Sequence, residues 1–366
     1  MSSLIHEPGQ IVGGRYEITK YIGEGGMQQV FEANDNLLAR VVALKVPKNP
    51  SAEKRFQRSA AVSARINHAN VAKTLDYFEE KERGYLIEEY VSGKDLGRVL
   101  KEDLQILDPL MAARIFHRLA KGLAASHHAT VIHRDLKPSN IMVVDGGRLT
   151  DVKITDFGIA KMAEEELVAV EGGESSLTAS YTAIGALPYM APEMIKSIKK
   201  AGTSADVWSL GALMFELITG EKPFGVGYKA VPAIMEAKVP PLPNMLKSNA
   251  QFKYAAEEIY KLVKICLTAD PADRPSADHL VQACGMMCYP DSTREFGKIK
   301  IFDNGSWGFI AAESGDDVFF HIDSIFGKEK VKKGDRVWFA RHMGGGADRA
   351  FPVMKVIQAT DQVSLF

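Results

Sequence analysis

The rhythm of hydrophobic and polar positions changes twice along the 366-residue chain. From about residue 15 to 92, short runs rich in Val, Ile, Tyr and Phe ("RYEITKYI", "QQVFEAND", "RVVALKV", "GYLIEEYV") predict β-strands. One segment among them, "SAEKRFQRSAAVSARIN", combines good helix formers with apolar residues at helical spacing and predicts a helix. From about 95 to 285 the apolar period lengthens to that of a helix in "PLMAARIFHRLAKGLAASHHAT", "TSADVWSLGALMFELIT" and "AAEEIYKLVKICLTA". Past "MMCYPDSTREFG" it shortens again into "KIKIFD", "WGFIAA", "DVFFHI", "DRVWFARH" and "AFPVMKVIQ", separated by Gly and Asp turns. The succession is α+β, then mostly α, then all-β. An acidic, Ser/Thr-rich stretch, "EEELVAVEGGESSLTASYT", interrupts the helical part and predicts a loop.

In the last part, "SWGFIAAESGDDVFFHI" places Trp307 with Phe309 and Phe319 with His321 at alternate positions. On a strand each pair shares one face. That face is either buried core or a platform on which something flat can stack.

Composition narrows the field by exclusion. Hydrophobic residues make up 46% and charged residues 25%, as in ordinary globular proteins. Lys and Arg number 45 against 46 Asp and Glu, so no net charge points to nucleic acid or membrane, and any such binding needs a local site. Three cysteines, Cys266, Cys284 and Cys288, form no disulfide framework and fit a reducing compartment. Cys284 and Cys288 with His279 are too few ligands for a closed zinc site and read as packing cysteines. The start "MSSLIHEPGQ" does not read as a signal peptide, and the apolar run "VWSLGALMFELITG" is short for a bilayer and carries Glu216. The expectation is a cytoplasmic protein without a membrane partner.

The chemistry-bearing residues come in order. "IGEGGMQQVFEA" sets Gly23, Gly25 and Gly26 between two strand-like runs, where a bare backbone can approach a phosphate chain. "VVALKV" places Lys45 in an apolar strand, a costly position unless it faces an anion. "VIHRDLKPSNIMV" and "VKITDFGIAK" then bring His133-Arg134-Asp135, Lys137, Asn140 and Asp156-Phe157-Gly158. With "ALPYMAPE", "DVWSLG" and "DPADRPS" following in the same order, residues 15–285 resemble a Ser/Thr protein kinase of the bacterial, eukaryotic-like type.

The resemblance implies a bilobal kinase fold, with an N-lobe over about 15–92 and a C-lobe over about 93–285. It implies ATP and Mg²⁺ as cofactors and protein hydroxyls as acceptors. Asp135 would orient and deprotonate the acceptor, Lys137 would steady the transferring phosphate, and Lys45 would contact the α/β-phosphates. Asn140 and Asp156 would hold Mg²⁺, whose hardness suits oxygen ligands. Gly23, Gly25, Gly26, Val30, Ala43, Glu88 and Glu89 would line the nucleotide. Arg134 implies control by phosphorylation of the loop at Thr178 and Ser180, with Ser176 or Thr182 as alternatives. Glu193 and Arg274 would form the family's structural ion pair.

Four positions depart from the family pattern. Gln28 stands for the third loop glycine, Ser59 for the helix glutamate that pairs with the strand lysine, Glu88 for an apolar residue before the hinge, and Ala186 for a hydroxyl near Asp135. Glu88 would replace the missing glutamate and pair with Lys45, since each buried charge needs a partner. The competing alignment makes Glu89 the hinge contact and leaves Glu88 partly solvated, and Glu53 is a rival partner for the lysine. The departures leave two functions open: an active kinase, or a nucleotide-binding pseudokinase scaffold that senses or delivers RNA.

The stretch "FGKIKIFDNGSWGFIAAESGDDVFFHIDSI" resembles a cold-shock domain over about 294–360, a five-stranded OB-type barrel that binds single-stranded RNA or DNA. By the resemblance Trp307, Phe309, Phe319 and His321 would stack on bases, Phe302 would be core, and Lys298, Lys300 and Arg341 would supply charge. Ile301 replaces the family's first-strand tryptophan, and the motif's usual lysine is absent. The alternative is a barrel whose rings are covered by the kinase or by another protein.

Overall fold

The structure, a computed structural model, describes residues 3–24, 28–48, 53–144, 149–157, 185–197, 201–290 and 292–357, with side chains in the first helix from residue 56 onward. Strands β1 (Ile11–Val12), β2 (Tyr16–Glu24), β3 (Gln28–Asp35), β4 (Arg40–Pro47), β5 (Thr74–Glu80) and β6 (Arg83–Glu89) make one sheet in the spatial order β1-β2-β3-β4-β6-β5. Helix α1 (Glu53–Ser63) packs on this sheet through Phe56 and Ala60, against Leu86 and Tyr77. The lobe begins earlier than residue 15. Buried Gln29 accepts from the Ile5 amide at 2.9 Å and donates to the Ser3 carbonyl at 3.0 Å, while Ile5 packs on the sheet core. A buried side-chain amide needs both a donor and an acceptor, and the leading segment supplies them.

The second lobe is built on α2 (Pro109–His128), α3 (Thr203–Thr219), α4 (Ala250–Cys266) and α5 (Ala277–Gly285), with a ribbon of β7 (Ile141–Val144) and β8 (Asp151–Ile154). Helix α2 starts where its sequence dictates. Asp108 accepts from the Leu110 and Met111 amides, each at 3.1 Å, and Pro109 takes the first position, where no amide is needed. Helix α3 is apolar on nearly all sides and is buried accordingly. It stops at Gly220, whose φ of +73° suits a residue without Cβ and returns its amide to the Glu216 carbonyl at 2.7 Å.

Strands β9 (Arg294–Ile301), β10 (Trp307–Ala312), β11 (Asp317–His321), β12 (Arg336–His342) and β13 (Arg349–Lys355) close into a barrel in the order β10-β11-β13-β12-β9. Ile299, Ile310, Val318, Phe320, Val337 and Phe339 fill it. Phe302 packs on that core with its ring 5.2 Å from Phe320.

The barrel is joined to the helices by a common core. Trp338, Phe326, Met354 and Val356 belong to the same buried cluster as α2, α3 and α4. Phe252 of α4 stacks on Phe351 at 5.3 Å and meets Phe326 at 4.9 Å. Beside these rings Arg294, the first residue of β9, pairs with Asp108 at 2.7 Å and lies 4.9 Å above the Trp338 ring. Asp108 therefore caps α2 with one oxygen and holds the barrel with the other. Burial pulls the Arg294 guanidinium below its ordinary value despite the carboxylate beside it. Polar contacts outside this core include the Ile357 amide donating to the Asp103 carbonyl at 2.9 Å, Asn249 donating to the Asp323 carbonyl at 3.0 Å, and Lys328 pairing with Glu221 at 3.4 Å. Among the described residues no helix is long and apolar enough to cross a membrane.

Removing one member of a buried ion pair leaves the other without compensation. Asp108→Ala is expected to destabilise the full chain by about 3–5 kcal/mol in urea denaturation. Asp108→Asn, which keeps the helix cap, should recover about 1 kcal/mol of that loss.

Candidate nucleotide site and aromatic face

Between the two lobes, one buried ammonium serves two carboxylates. Lys45 Nζ on β4 lies 2.5 Å from Glu88 Oε2 on β6 and 2.6 Å from Asp156 Oδ1 beyond β8. The strand register explains the first contact: Ala43 pairs with Glu88 and Lys45 with Leu86, so lysine and glutamate sit diagonally on neighbouring strands. The pairing expected between Lys45 and Glu88 is thus present, and the Glu88 carboxylate is turned to the lysine. Glu89 instead pairs with Lys153 at 3.0 Å, and its amide donates to the Lys73 carbonyl at 2.8 Å. The Glu53 side chain lies outside the described residues.

Burial by itself would push all three groups toward neutrality. For Lys45 the two carboxylates outweigh it and raise the ammonium above its ordinary value. For Asp156, burial is outweighed by Lys45 and the carboxyl lies below its usual range, whereas for Glu88 burial prevails and the carboxyl lies above it. Asp156 is the readily ionised member of the pair.

Two of the departures from the family pattern meet at the same point. Gln28, buried on β3, donates to Asp156 Oδ1 at 3.2 Å. Ser59, buried on α1, donates to the Phe157 carbonyl at 2.9 Å. Neither side chain points away from the site. Val30 pairs with Lys45 across β3 and β4 and so borders the lysine, and Gly23 pairs with Val30 one strand further out on β2. Gly25, Gly26, Gly158, Ser176, Thr178, Ser180 and Thr182 lie outside the described residues.

The loop after α2 carries the second group. Lys137 Nζ donates to both Asp135 oxygens, at 3.0 and 2.8 Å. Asn140 Nδ2 donates to the Asp135 carbonyl at 2.7 Å and to Oδ2 at 3.1 Å. The Thr155 amide donates to the Asn140 carbonyl at 2.9 Å, which sets Asn140 beside Asp156. Among the described residues no cluster of three or more His, Cys, Asp or Glu could hold a metal by itself. An Asp carboxylate and an Asn carbonyl oxygen nevertheless fit Mg²⁺, which takes few protein ligands and completes its shell with phosphate and water.

Asp206 of "DVWSLG" has a structural part that the motif alone did not disclose. Fully buried in the first turn of α3, it accepts from the His133 amide at 2.8 Å and the Arg134 amide at 2.7 Å, and it meets His127 of α2 at 2.9 Å. Arg134 has a φ of +64° and Asp156 of +62°, a region that side chains disfavour, and hydrogen bonds or ion pairs tie down both. The available signal was an aspartate opening an otherwise apolar helix. Glu193 and Arg274 form a bidentate pair at 2.7 and 2.8 Å, with Arg274 also over the Trp208 ring. Ala186 precedes the turn Leu187–Tyr189 and brings no hydroxyl to Asp135.

On the barrel, Trp307 pairs with His321 and Phe309 with Phe319 across β10 and β11. The Trp307, Phe309 and Phe319 rings lie 5.8 to 6.2 Å apart and form one patch. Trp307 and His321 are exposed and Phe309 and Phe319 half-buried, so the helices of the second lobe do not cover the patch. Gly308 between them has no alternative: a Cβ there would stand 2.1 Å from the Ile301 carbonyl oxygen. Ile301 lies opposite Phe309 and is 38% exposed at the edge of the patch.

The charge around this patch is smaller than expected. Lys300 pairs with Asp317 at 2.6 Å. Arg341 is held by Glu295 at 2.7 Å, Asp316 at 3.2 Å and Asp348 at 3.4 Å, and so does not serve as a free cation. Lys298 is exposed.

Residues 16–284 match the protein kinase domain family, and residues 295–356 match the 'cold-shock' DNA-binding domain family. The chain is 34% identical over 279 residues to the probable serine/threonine-protein kinase PknB of Corynebacterium glutamicum, covering 72% of this chain and 40% of that protein. It is 34% identical over 278 residues to the serine/threonine-protein kinase PknA of Mycobacterium tuberculosis, covering 73% and 59%. To pkn3 of Myxococcus xanthus it is 34% identical over 286 residues, covering 75% and 50%. The chain thus spans about half the length of these relatives. Among solved structures, Rad53 1–466 in complex with AMP-PNP shares the fold with a TM-score of 0.57 at 22% identity, covering 75% of this chain and 66% of that one.

Asp206→Ala removes the acceptor of two loop amides. The expected result is a loss of about 2–5 kcal/mol in denaturant midpoint analysis, since a buried donor left unmatched costs about 1–3 kcal/mol.

Proposed function

The chain belongs to the protein kinase family and carries a cold-shock domain behind the kinase domain, and on that premise we propose that it transfers the γ-phosphate of ATP to serine or threonine hydroxyls of proteins, its own loop included. The observation that carries this reading is the convergence of Lys45, Asp156, Asn140, Asp135 and Lys137 in two joined hydrogen-bonded groups at the lobe junction. Phosphoryl transfer asks the protein mainly for position and for neutralisation of charge. Asp135 accepts the proton of the attacking hydroxyl, and Lys137, bonded to it, stands where the transferring phosphate is steadied. Lys45 faces the α/β-phosphates. Asn140 and Asp156 would hold Mg²⁺, which supplies neutralisation of the phosphate oxygens. Gly23, Gly25, Gly26, Val30 and Ala43 line the nucleotide, and Arg134 reads phosphorylation at Thr178 or Ser180. What supports an enzyme over a nucleotide-binding scaffold is that each side chain needed at metal and acceptor proton is present.

The barrel, on the same proposal, binds single-stranded RNA or DNA through Trp307, Phe309, Phe319 and His321. Three rings within stacking distance on an uncovered face support it. Stacking dominates over charge, because Lys300 already has a carboxylate partner. The common core between barrel and helices couples the two activities, so that single-stranded nucleic acid changes the rate of autophosphorylation. A cytoplasmic setting, where ATP and RNA are both at hand, belongs to the same proposal.

Incubation of the full chain with labelled ATP and Mg²⁺ is expected to label protein, and Asp135→Asn should cut the rate by about 100-fold or more. Equal labelling of both proteins, or none, rejects the kinase. Phe309→Ala and Phe319→Ala should each weaken binding to a single-stranded oligonucleotide by about 1–3 kcal/mol, read by fluorescence anisotropy, with a shallow salt dependence. Unchanged autophosphorylation on adding an oligonucleotide that binds rejects the coupling.

A further inference from the structure

One of the two carboxylates that direct the buried lysine stands on a strand of the same sheet. Lys45 is on β4 and its partner Glu88 on β6, hydrogen-bonded neighbours inside a six-stranded sheet, and both side chains are 7% exposed. Helix α1 lies on that sheet and gives the site no charge at the nearest position, where Ser59 donates to the Phe157 carbonyl. We propose that Glu88 is the positioning residue for Lys45 and keeps the lysine aimed at the phosphates wherever α1 sits. The proposal rests on the ATP-binding part of the reading above.

Three physical points carry it. The backbones of β4 and β6 cannot part without opening the sheet, so Lys45 and Glu88 stay within reach of each other, whereas a helix packed on a sheet can shift by an ångström or more. A buried ammonium needs a carboxylate at all times. Asp156, 2.6 Å away, is the other candidate, but it is also the proposed metal ligand and cannot stay wholly with the lysine once nucleotide and Mg²⁺ arrive. Glu88 has no such second duty: its one described partner is Lys45. In the family pattern the partner comes from the helix, so helix position sets lysine geometry. Here that link is replaced by a hydroxyl contact to the backbone of Phe157, and α1 is coupled to the segment after Asp156 instead of to the lysine.

The test compares the wild-type full chain with Glu88→Leu, Ser59→Glu and the double variant Ser59→Glu/Glu88→Leu. Two readouts are used: titration with a fluorescent ATP analogue in the presence of Mg²⁺, and steady-state phosphorylation. Glu88→Leu is expected to lower nucleotide affinity or kcat/KM by at least ~10-fold, and the double variant to regain at least ~5-fold of it by restoring a carboxylate from the helix side. Ser59→Glu alone is the reference for the double variant and is expected to lower either readout, since it loses the bond to the Phe157 carbonyl and sets a further carboxylate beside Glu88 and Asp156. A Glu88→Leu chain within twofold of wild type, or a double variant no better than Glu88→Leu, overturns the proposal. Thermal melts accompany each variant. Should Glu88→Leu fail to fold, Glu88→Gln, which keeps the shape without the charge, takes its place, with a loss of at least ~5-fold expected and no loss overturning the idea. A wild-type chain that binds ATP yet transfers no phosphate ends the kinase reading, while the binding constants still judge Glu88.

Discussion

One ammonium enclosed with two carboxylates is the constraint around which the lobe junction is arranged. Taking a charge out of water costs several kcal/mol, so Lys45, Glu88 and Asp156 hold their places only as a set. The set draws together β4, β6 and the segment that follows β8. It also leaves one negative charge in excess when all three groups are ionised, which suits a place where a divalent cation is to be received. Three residues that look like separate losses in the sequence meet here. Gln28 donates to Asp156, Ser59 to the carbonyl of the next residue, and Glu88 pairs with Lys45. They form one alternative arrangement of the site.

The barrel presents two faces with opposite fates. On one, Trp338, Phe326 and Phe351 enter the core of the helical lobe, with the Arg294–Asp108 pair closing the contact. On the other, Trp307, Phe309 and Phe319 remain open. Aromatic residues on short strands therefore serve packing in one half of this barrel and presentation in the other, and Gly308 between two of the presented rings lets β10 lie close against Ile301 and the core ring of Phe320.

Much of this was legible in the sequence, for definable reasons. Helical and strand periods placed α2, α3, β10, β11 and β12 to within a residue or two, since each element buries one continuous face, while β9 begins four residues before its expected segment and β13 ends three residues early. The Lys45–Glu88 pair followed from the family resemblance, which puts position 88 near the strand lysine, together with the cost of unpaired buried charge. The rest depended on contacts between residues distant in the chain, which periodicity does not encode. Nothing local says that Gln28 bends inward to Asp156, 128 residues away. Nor does it say that Asp206 holds the backbone of a loop 72 residues earlier, or that Arg341 is enclosed by carboxylates. Nor does periodicity show that main-chain groups of Ser3 and Ile5 satisfy the buried amide of Gln29.

Helix α2 has a further property once both of its ends are considered. Its 20 residues begin at the cap Asp108, gripped by Arg294 of the barrel, and end in the turn where His127 meets Asp206. Asp206 in turn carries the loop that leads to Asp135. A helix of that length is a strut of about 30 Å. A tilt of ~3° imposed at the barrel end would carry the far end through ~1.5 Å, several times the ~0.5 Å range of a hydrogen-bond length. The barrel and the loop that bears the acceptor-facing aspartate thus lie at the two ends of one lever.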